Sequence, residues 1–374
     1  MSFDWTAEQR ARYQNIIAAV RALPAPADGH FTREEWRQCA PLGLPGLSVP
    51  AEYGGGGLDA VGAAHAMEAF GRGYPDMGLV FGVAAHLFAC AMPITEHGTA
   101  EIRERVLPRL CDGTWIAGNA ITEDEAGSDV TALTTKAVRT PDGYRLSGEK
   151  SFVSNGPLAD VFVVYATTDP DLGFLGVSAF VVERDAPGVT VEGPLPKIVL
   201  ARCPAGRLRL ADTPVPESAR LGAEGRGAAI FQSSMHWERT CLFAGYLGLM
   251  DRVVQRCVAY ARERRQFGAP IGSFQAVRHR IADMKLRLEG ARSLLYRACA
   301  ARDAGDAVLL AALAKAAVSE AAVRTATDAL QVFGAAAYLG GSPEEKALLD
   351  ALPSTVFSGT SEMQREIIGK ELGL

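Results

Sequence analysis

Val161-Phe162-Val163-Val164-Tyr165-Ala166 is a short run of β-branched and aromatic residues in the middle of a chain whose two ends read as helix. Residues 134–139, 144–147, 178–183 and 207–210 share its β-rich character. Pro141-Asp142-Gly143 and Ala186-Pro187-Gly188 supply turns between such runs. Residues 115–222 therefore read as a compact middle domain, antiparallel and barrel-like.

Outward from this block the pattern changes. Residues 1–114 read as an N-terminal helical domain. An apolar stripe runs over residues 6–23, with Thr6, Glu8 and Gln9 at its start and Pro24, Pro26 and Gly29 at its end. Asp59 is a cap for a helix over residues 60–70, and another helix is expected over 79–92. Gly54 to Gly57 form either a flexible turn or a cradle for a ligand. Residues 223–374 return to helix, over 227–263, 274–303, 307–333 and 362–372. Long helices on short loops predict a C-terminal four-helix bundle. The fold class is mainly α with a central β domain.

Bulk properties exclude several functions. A chain of 374 residues, 48% apolar and 22% charged, is long and ordinary enough for packed layers around a large core. The net charge of -5, with no dense Lys/Arg run, argues against nucleic acid as a partner. The first ten residues lack the apolar core of a signal peptide. Residues 78–94 are weakly polar but interrupted by His86, so they read as a buried helix and no membrane partner is expected. The cysteines are scattered without a Cys-x-x-Cys pair, and the histidines are dispersed. Neither a disulfide framework nor a metal site is suggested, and a cytoplasmic location fits.

The motifs come in a definite order. Ala120-Ile121-Thr122-Glu123 leads into Ala126-Gly127-Ser128-Asp129, and Gly148-Glu149-Lys150-Ser151-Phe152-Val153-Ser154-Asn155-Gly156 follows. Then come Glu263-Arg264-Arg265-Gln266-Phe267-Gly268, Phe274-Gln275, residues 328–334, and Ser358-Gly359-Thr360-Ser361. Together, over nearly the whole chain, they closely resemble the acyl-CoA dehydrogenase family of flavoproteins.

That resemblance implies FAD as cofactor. It places Ile121, Thr122 and Ser128 against the flavin and its pyrophosphate. Phe152 takes the position of the family's tryptophan, and Ser154 that of its threonine; an aromatic face and a small hydroxyl are kept. Arg264, Gln266 and Phe267 are implied to reach the dinucleotide of a neighbouring subunit, where a planar guanidinium suits phosphate oxygens. Gln331 and Gly334 match a second motif that crosses the interface, although 334–337 departs from the family's glycine pattern. Thr360 and Glu362 match the pair near the adenine, with Glu in place of Gln. Flavins shared in this way imply a homo-oligomer, commonly a dimer of dimers.

The resemblance also locates a base. Removing a proton beside a thioester carbonyl needs a close carboxylate, and burial makes a carboxylate more basic. Most family members carry it immediately before Gly-Thr near the C-terminus, where this chain has Ser358. Isovaleryl-type members carry it on the first long helix of the bundle, before an arginine, and there this chain has Glu238-Arg239. At helical spacing Glu238, Leu242, Gly245 and Leu249 share one face. Glu238 is the expected catalytic base; a structural ion pair with Arg239, or a solvated helix edge, is the competing reading. Arg239 is expected either to support the structure or to bind the thioester tail, and the Ser358 backbone N–H is expected to help polarise the thioester carbonyl of the substrate.

The implied reaction is α,β-dehydrogenation of an acyl thioester. The stretch from Met235 to Leu242 resembles biosynthetic members that act on carrier-protein-tethered groups, prolyl thioesters among them, but nothing in it separates a carrier protein from CoA. The electron acceptor is either an electron-transfer flavoprotein or oxygen. A flavin monooxygenase on the same fold is the alternative enzyme, and it has no need of Glu238. A flavin-binding DNA-protection protein would need a basic patch that the sequence lacks.

Overall fold

The computed structural model describes residues 5–26, 28–302 and 307–374. Helices precede and follow one central sheet, mainly α around β as the pattern predicts. Its strands are β1 (Ala117–Ala120), β2 (Lys136–Thr140), β3 (Gly143–Ser154), β4 (Val161–Thr167), β5 (Val177–Glu183), β6 (Val189–Glu192), β7 (Ala205–Pro216) and β8 (Arg220–Leu221). They lie in the order β6-β7-β3-β2-β4-β5-β8, with β1 added beside β4.

The sheet is mixed rather than purely antiparallel. β1 runs parallel to β4 with Ala117 opposite Val161, and β2 meets β4 in parallel at Lys136 and Thr167. β1 is too short and too poor in β-branched residues to announce itself. β4 is buried on both faces up to Ala166, which explains a continuous apolar run in place of an alternating one.

β3 is twelve residues long and breaks register with β7 twice, the second time between Lys150 and Val153. At that bulge Phe152 adopts a φ of 55° and is 61% exposed. A bulge adds one unpaired residue and re-aims a side chain. Here it turns the Phe152 ring out of the sheet.

Among the N-terminal helices, Ala7–Arg21 starts on a capping box between Thr6 and Gln9, and Asp59 caps Ala60–Gly73 through the Gly62 N–H. Gly54 to Gly57 do not form a ligand cradle. The N–H groups of Gly55, Gly56 and Gly57 donate to Pro50, Gly46 and Val49 carbonyls, so those donors are taken up inside the loop. Met77–His97 is long and apolar enough to cross a membrane, yet 94% of its most apolar window is buried in the fold. A π turn, Leu87–Ala91, interrupts it.

The C-terminal part has Gly227–Trp237, Ala244–Glu263, Gln275–Ala300, Ala307–Phe333 and Ser361–Glu371, with a further helix, Pro343–Ala351. The unbroken helix expected over 227–263 contains a π turn, Glu238–Leu242. The helix expected over 274–303 ends at Ala300, and Asp303 lies outside the described residues. Ala244–Glu263 crosses Ala60–Gly73 at backbone contact. A Cβ on Gly248 would sit 2.2 Å from the Glu68 carbonyl oxygen, and one on Gly71 would sit 2.1 Å from that of Gly245. This seam fixes the helix that carries Glu238 against the N-terminal helices.

Candidate active site

The loop after β1 is held by a buried ion pair. Lys150 on β3 is fully buried, and its Nζ donates to Glu123 Oε1 at 2.7 Å and to the Ile121 carbonyl at 3.1 Å. Glu123 also accepts the backbone N–H and hydroxyl of both Thr134 and Thr135. Burial opposes its ionisation, but the donors from Lys150, Thr134 and Thr135 outweigh burial and hold its pKa down to about 2. A fixed carboxylate thus ties the Ile121–Thr122 turn to β3 and to the start of β2. Both motif stretches were visible in the sequence; their pairing through Glu123 and Lys150 was not.

Above this lock lies a cavity of about 360 Å³. Ile121, Thr122 and Ser128 enter it from the loop, and Phe152 and Ser154 from β3. Glu238 and Leu242 enter from the π turn, Ser358 and Thr360 from the last connection. Apolar walls come from Phe81 and Phe357, whose rings pack at 4.7 Å, and from Phe231 and Met235.

Glu238 is 7% exposed. Its Oε2 accepts the Ser358 hydroxyl at 2.7 Å, and its Oε1 is buried with no hydrogen-bond partner among the described residues. Burial raises its pKa to about 7, against the opposing pull of the Ser358 hydroxyl and the Arg239 charge. The neighbouring guanidinium is directed elsewhere: Arg239 Nε donates to the Ser358 carbonyl at 3.3 Å. The ion-pair reading of Glu238-Arg239 is not what forms. Arg239 does not line the cavity either, so the structure gives it no direct place at a substrate. It fastens the turn that carries Ser358.

Two more contacts steady the base. Trp237 Nε1 donates to Glu96 Oε1 at 2.8 Å, and Arg302 pairs with the same carboxylate while lying 4.0 Å over the Trp237 ring. The residue before Glu238 is thereby clamped to Met77–His97. Gly245 lies on the backbone seam rather than in the cavity, because the π turn adds a residue and breaks the spacing that grouped it with Glu238 and Leu242.

The remaining expected residues lie apart. Arg264, Gln266 and Phe267 belong to an exposed hairpin, Arg265–Gln266 paired with Ala269–Pro270, and Phe267 is 97% exposed with a φ of 50°. Gln331 is exposed, Gly334 is half-buried at the end of Ala307–Phe333, and Glu362 is exposed in the first turn of Ser361–Glu371. None of these lines the cavity. Thr360 does, but its hydroxyl also caps that last helix by accepting the Met363 N–H. Asn119 was missed. It stands on β1, lines the cavity, and its Oδ1 is buried without a partner among the described residues. No local signal marks it, because β1 itself carries none.

Comparison with known proteins places this geometry. The N-terminal, middle and C-terminal domains of acyl-CoA dehydrogenase match residues 6–114, 118–213 and 225–373. The chain belongs to the acyl-CoA dehydrogenase family. An L-prolyl-[peptidyl-carrier protein] dehydrogenase of Pseudomonas fluorescens is 52% identical over 381 residues, covering 100% of both chains. A mitochondrial isovaleryl-CoA dehydrogenase of Oryza sativa is 34% identical, covering 99% of this chain and 92% of its own. A solved structure described as PigA with FAD and proline superimposes with a TM-score of 0.97 at 41% identity, covering 100% of both.

The cavity suits the ring of the flavin that such family members carry. Phe152 offers an aromatic face at its mouth, and the hydroxyls of Thr122, Ser128 and Ser154 are engaged by no described residue. The orphaned Asn119 Oδ1 adds an acceptor on the β1 side. A flat heterocycle with polar edges needs this mixture of an apolar platform and convergent polar atoms.

Proposed function

We propose that this protein is an FAD-dependent dehydrogenase that removes the α- and β-hydrogens of a thioester-bound acyl group. We further propose that the acyl group is prolyl, tethered to a carrier protein. One observation carries the reaction type: a carboxylate buried in an apolar cavity, with one oxygen held by Ser358 and the other without a hydrogen-bond partner among the described residues. Similarity over the full length to a prolyl-carrier-protein dehydrogenase supports the substrate. So does a cavity whose walls beyond the base are aromatic and aliphatic, suited to a small ring.

Bound FAD supplies the acceptor for the hydride from the β-carbon. The chain's own residues do the rest. Glu238 Oε1 takes the α-proton while Ser358 keeps the carboxylate oriented through Oε2. Phe81, Phe231 and Phe357 exclude water from the acyl pocket, which keeps Glu238 basic near neutral pH. Thr122, Ser128, Phe152, Ser154 and Asn119, which line the cavity, would hold the flavin ring.

Arg264, Gln266, Phe267, Gln331 and Glu362, all exposed, and the half-buried Gly334 reach the cofactor of a neighbouring protomer in this reading, which makes the working unit a homo-oligomer. Seven buried cysteines without a disulfide accord with a reducing cytoplasm.

The test is an anaerobic absorbance titration of the purified flavoprotein with prolyl-carrier protein, the matching CoA thioester, and unloaded carrier. Bleaching by the prolyl-carrier protein without added reductant is expected, with the CoA thioester slower. A flavin bleached by no thioester overturns the reaction. Equal bleaching by both thioesters overturns the carrier assignment alone. Readmitting air, or adding an electron-transfer flavoprotein, then identifies the electron acceptor.

A further inference from the structure

We propose that Ser358 is the positioning residue of the reaction: its hydroxyl holds Glu238 Oε2 and turns Oε1 toward the α-carbon. This rests on the dehydrogenase reading and deepens it. Ser358 occupies the place before Gly-Thr, and its side chain reaches across 120 residues of sequence to touch a carboxylate on another helix.

The turn is built for that contact. Ser358 has a φ of 53°, a left-handed backbone that a non-glycine residue adopts only when its surroundings enforce it. The enforcement comes from two sides. Arg239 Nε donates to the Ser358 carbonyl at 3.3 Å, and Gln364 Nε2 donates to the Ser358 and Gly359 carbonyls at 3.4 Å and 3.0 Å. Gln364 is fully buried on Ser361–Glu371, whose start is fixed by the Thr360 cap. The strained turn is thus strapped to the helix that carries the base and to the helix that follows it. With the carbonyl held, the hydroxyl donates to Glu238 Oε2 at 2.7 Å.

Among the described residues, Arg239, Cys90 and Tyr165 interact electrostatically with Glu238. Arg239 comes from its own helix. Cys90, on the π turn of Met77–His97, and Tyr165, on β4, both interact electrostatically with Glu238, and burial raises both so that they stay neutral near pH 7. Lys315, from Ala307–Phe333, acts on Arg239 behind the turn. Ser358 is the hydroxyl that bonds the carboxylate directly. A hydrogen bond to the ionised form favours that form, so Ser358 opposes the upward push of burial.

The experiment is the pH dependence of the single-turnover bleaching rate, measured on the flavin-loaded holoprotein of wild type, Ser358→Ala, Ser358→Gly and Glu238→Gln. The wild-type rate should rise with pH around a midpoint near 7. Both serine variants should move that midpoint upward by about one unit, the scale of a lost charge-assisted hydrogen bond. At pH 6 they fall more than about tenfold behind, and at pH 9, where Glu238 is ionised in all of them, a smaller deficit from the lost orientation of the carboxylate persists, with substrate affinity little changed. Alanine and glycine should agree, although glycine fits the left-handed turn better. Midpoints equal to wild type overturn the proposal, and so does a shift seen in alanine but not in glycine, which would mark a backbone effect. A wild-type flavin that no thioester bleaches would instead remove the dehydrogenase reading itself.

Discussion

Lys150 Nζ and Glu123 Oε1 meet at 2.7 Å with both side chains almost wholly out of water, directly under the loop that forms one wall of the cavity. Removing one partner of such a pair leaves a buried charge uncompensated, which costs about 3–5 kcal/mol. Lys150→Met should lower stability by that order in urea unfolding and loosen the flavin, measured as free FAD after desalting. The double variant with Glu123→Gln should lose less than the two single losses combined. Glu123 is depressed from 4.5 to about 2, so its contribution is full above pH 4.5 and is lost as pH falls toward 2. Wild type should therefore lose more stability than Glu123→Gln over that window.

Glu238→Gln should keep its flavin and lose about 10²–10⁴-fold in the thioester bleaching rate, the usual contribution of a positioned general base. Its stability should change in the opposite sense to that of Glu123. Glu238 is raised from 4.5 to about 7, so the folded state binds the extra proton between those values and wild-type stability declines as pH rises through them. Thermal unfolding at pH 5 and pH 8 should show the glutamine variant gaining on wild type at the higher pH. A constant difference between the two would mean that Glu238 is not buried as an acid.

Much of this site was legible in the sequence, and the boundary of what was legible has physical causes. Glu238, Ser358 and the group Ile121, Thr122, Ser128, Phe152 and Ser154 could be named because each belongs to a contiguous motif, and all of them line one cavity. Asn119 could not, because β1 is a four-residue strand that exists only by pairing with β4. The parallel entry of β1, the Glu123–Lys150 lock and the Glu96 clamp on Trp237 are long-range pairings with no periodic trace. The π turn was invisible for a related reason: a 3.6-residue pattern read through it still looks like helix. For Arg239 the sequence left structural support and thioester-tail binding open, and its guanidinium bonds the turn that carries Ser358, a long-range contact with no sequence trace.

Gly248→Ala tests the seam between Ala60–Gly73 and Ala244–Glu263. The added methyl would lie 2.2 Å from the Glu68 carbonyl oxygen and 2.4 Å from the Arg72 nitrogen, both backbone atoms that cannot swing aside. Overpacking of this kind costs about 1–3 kcal/mol. The melting temperature should fall, and Gly290→Ala, where nothing lies within 4 Å, should leave it unchanged or higher.

Lys315→Met tests a buried amine. Lys315 is fully buried, its Nζ has no hydrogen-bond partner among the described residues, and it lies 5.4 Å from the centre of the Phe243 ring. Burial, helped by the Arg239 charge, lowers it from 10.5 to about 8. Between those values the unfolded chain binds the proton that the folded chain has released, so wild-type stability rises with pH there. The methionine variant should be the more stable at pH 7, and its advantage should shrink toward pH 10. A variant no more stable at pH 7 would mean that the ammonium is well accommodated.

The π turn at Glu238–Leu242 amounts to one residue inserted into an α-helix. It lets two incompatible helical phases share one rod: the segment before it turns Phe231 and Met235 to the cavity, and the segment after it keeps Gly245 and Gly248 on the backbone seam. The cavity face and the packing face are therefore set by different helical phases on either side of that turn. Phe231 and Met235, upstream of the turn, face the cavity while the glycines of the seam lie downstream of it, so the residues that shape the pocket are not the ones that hold the helix to its neighbour.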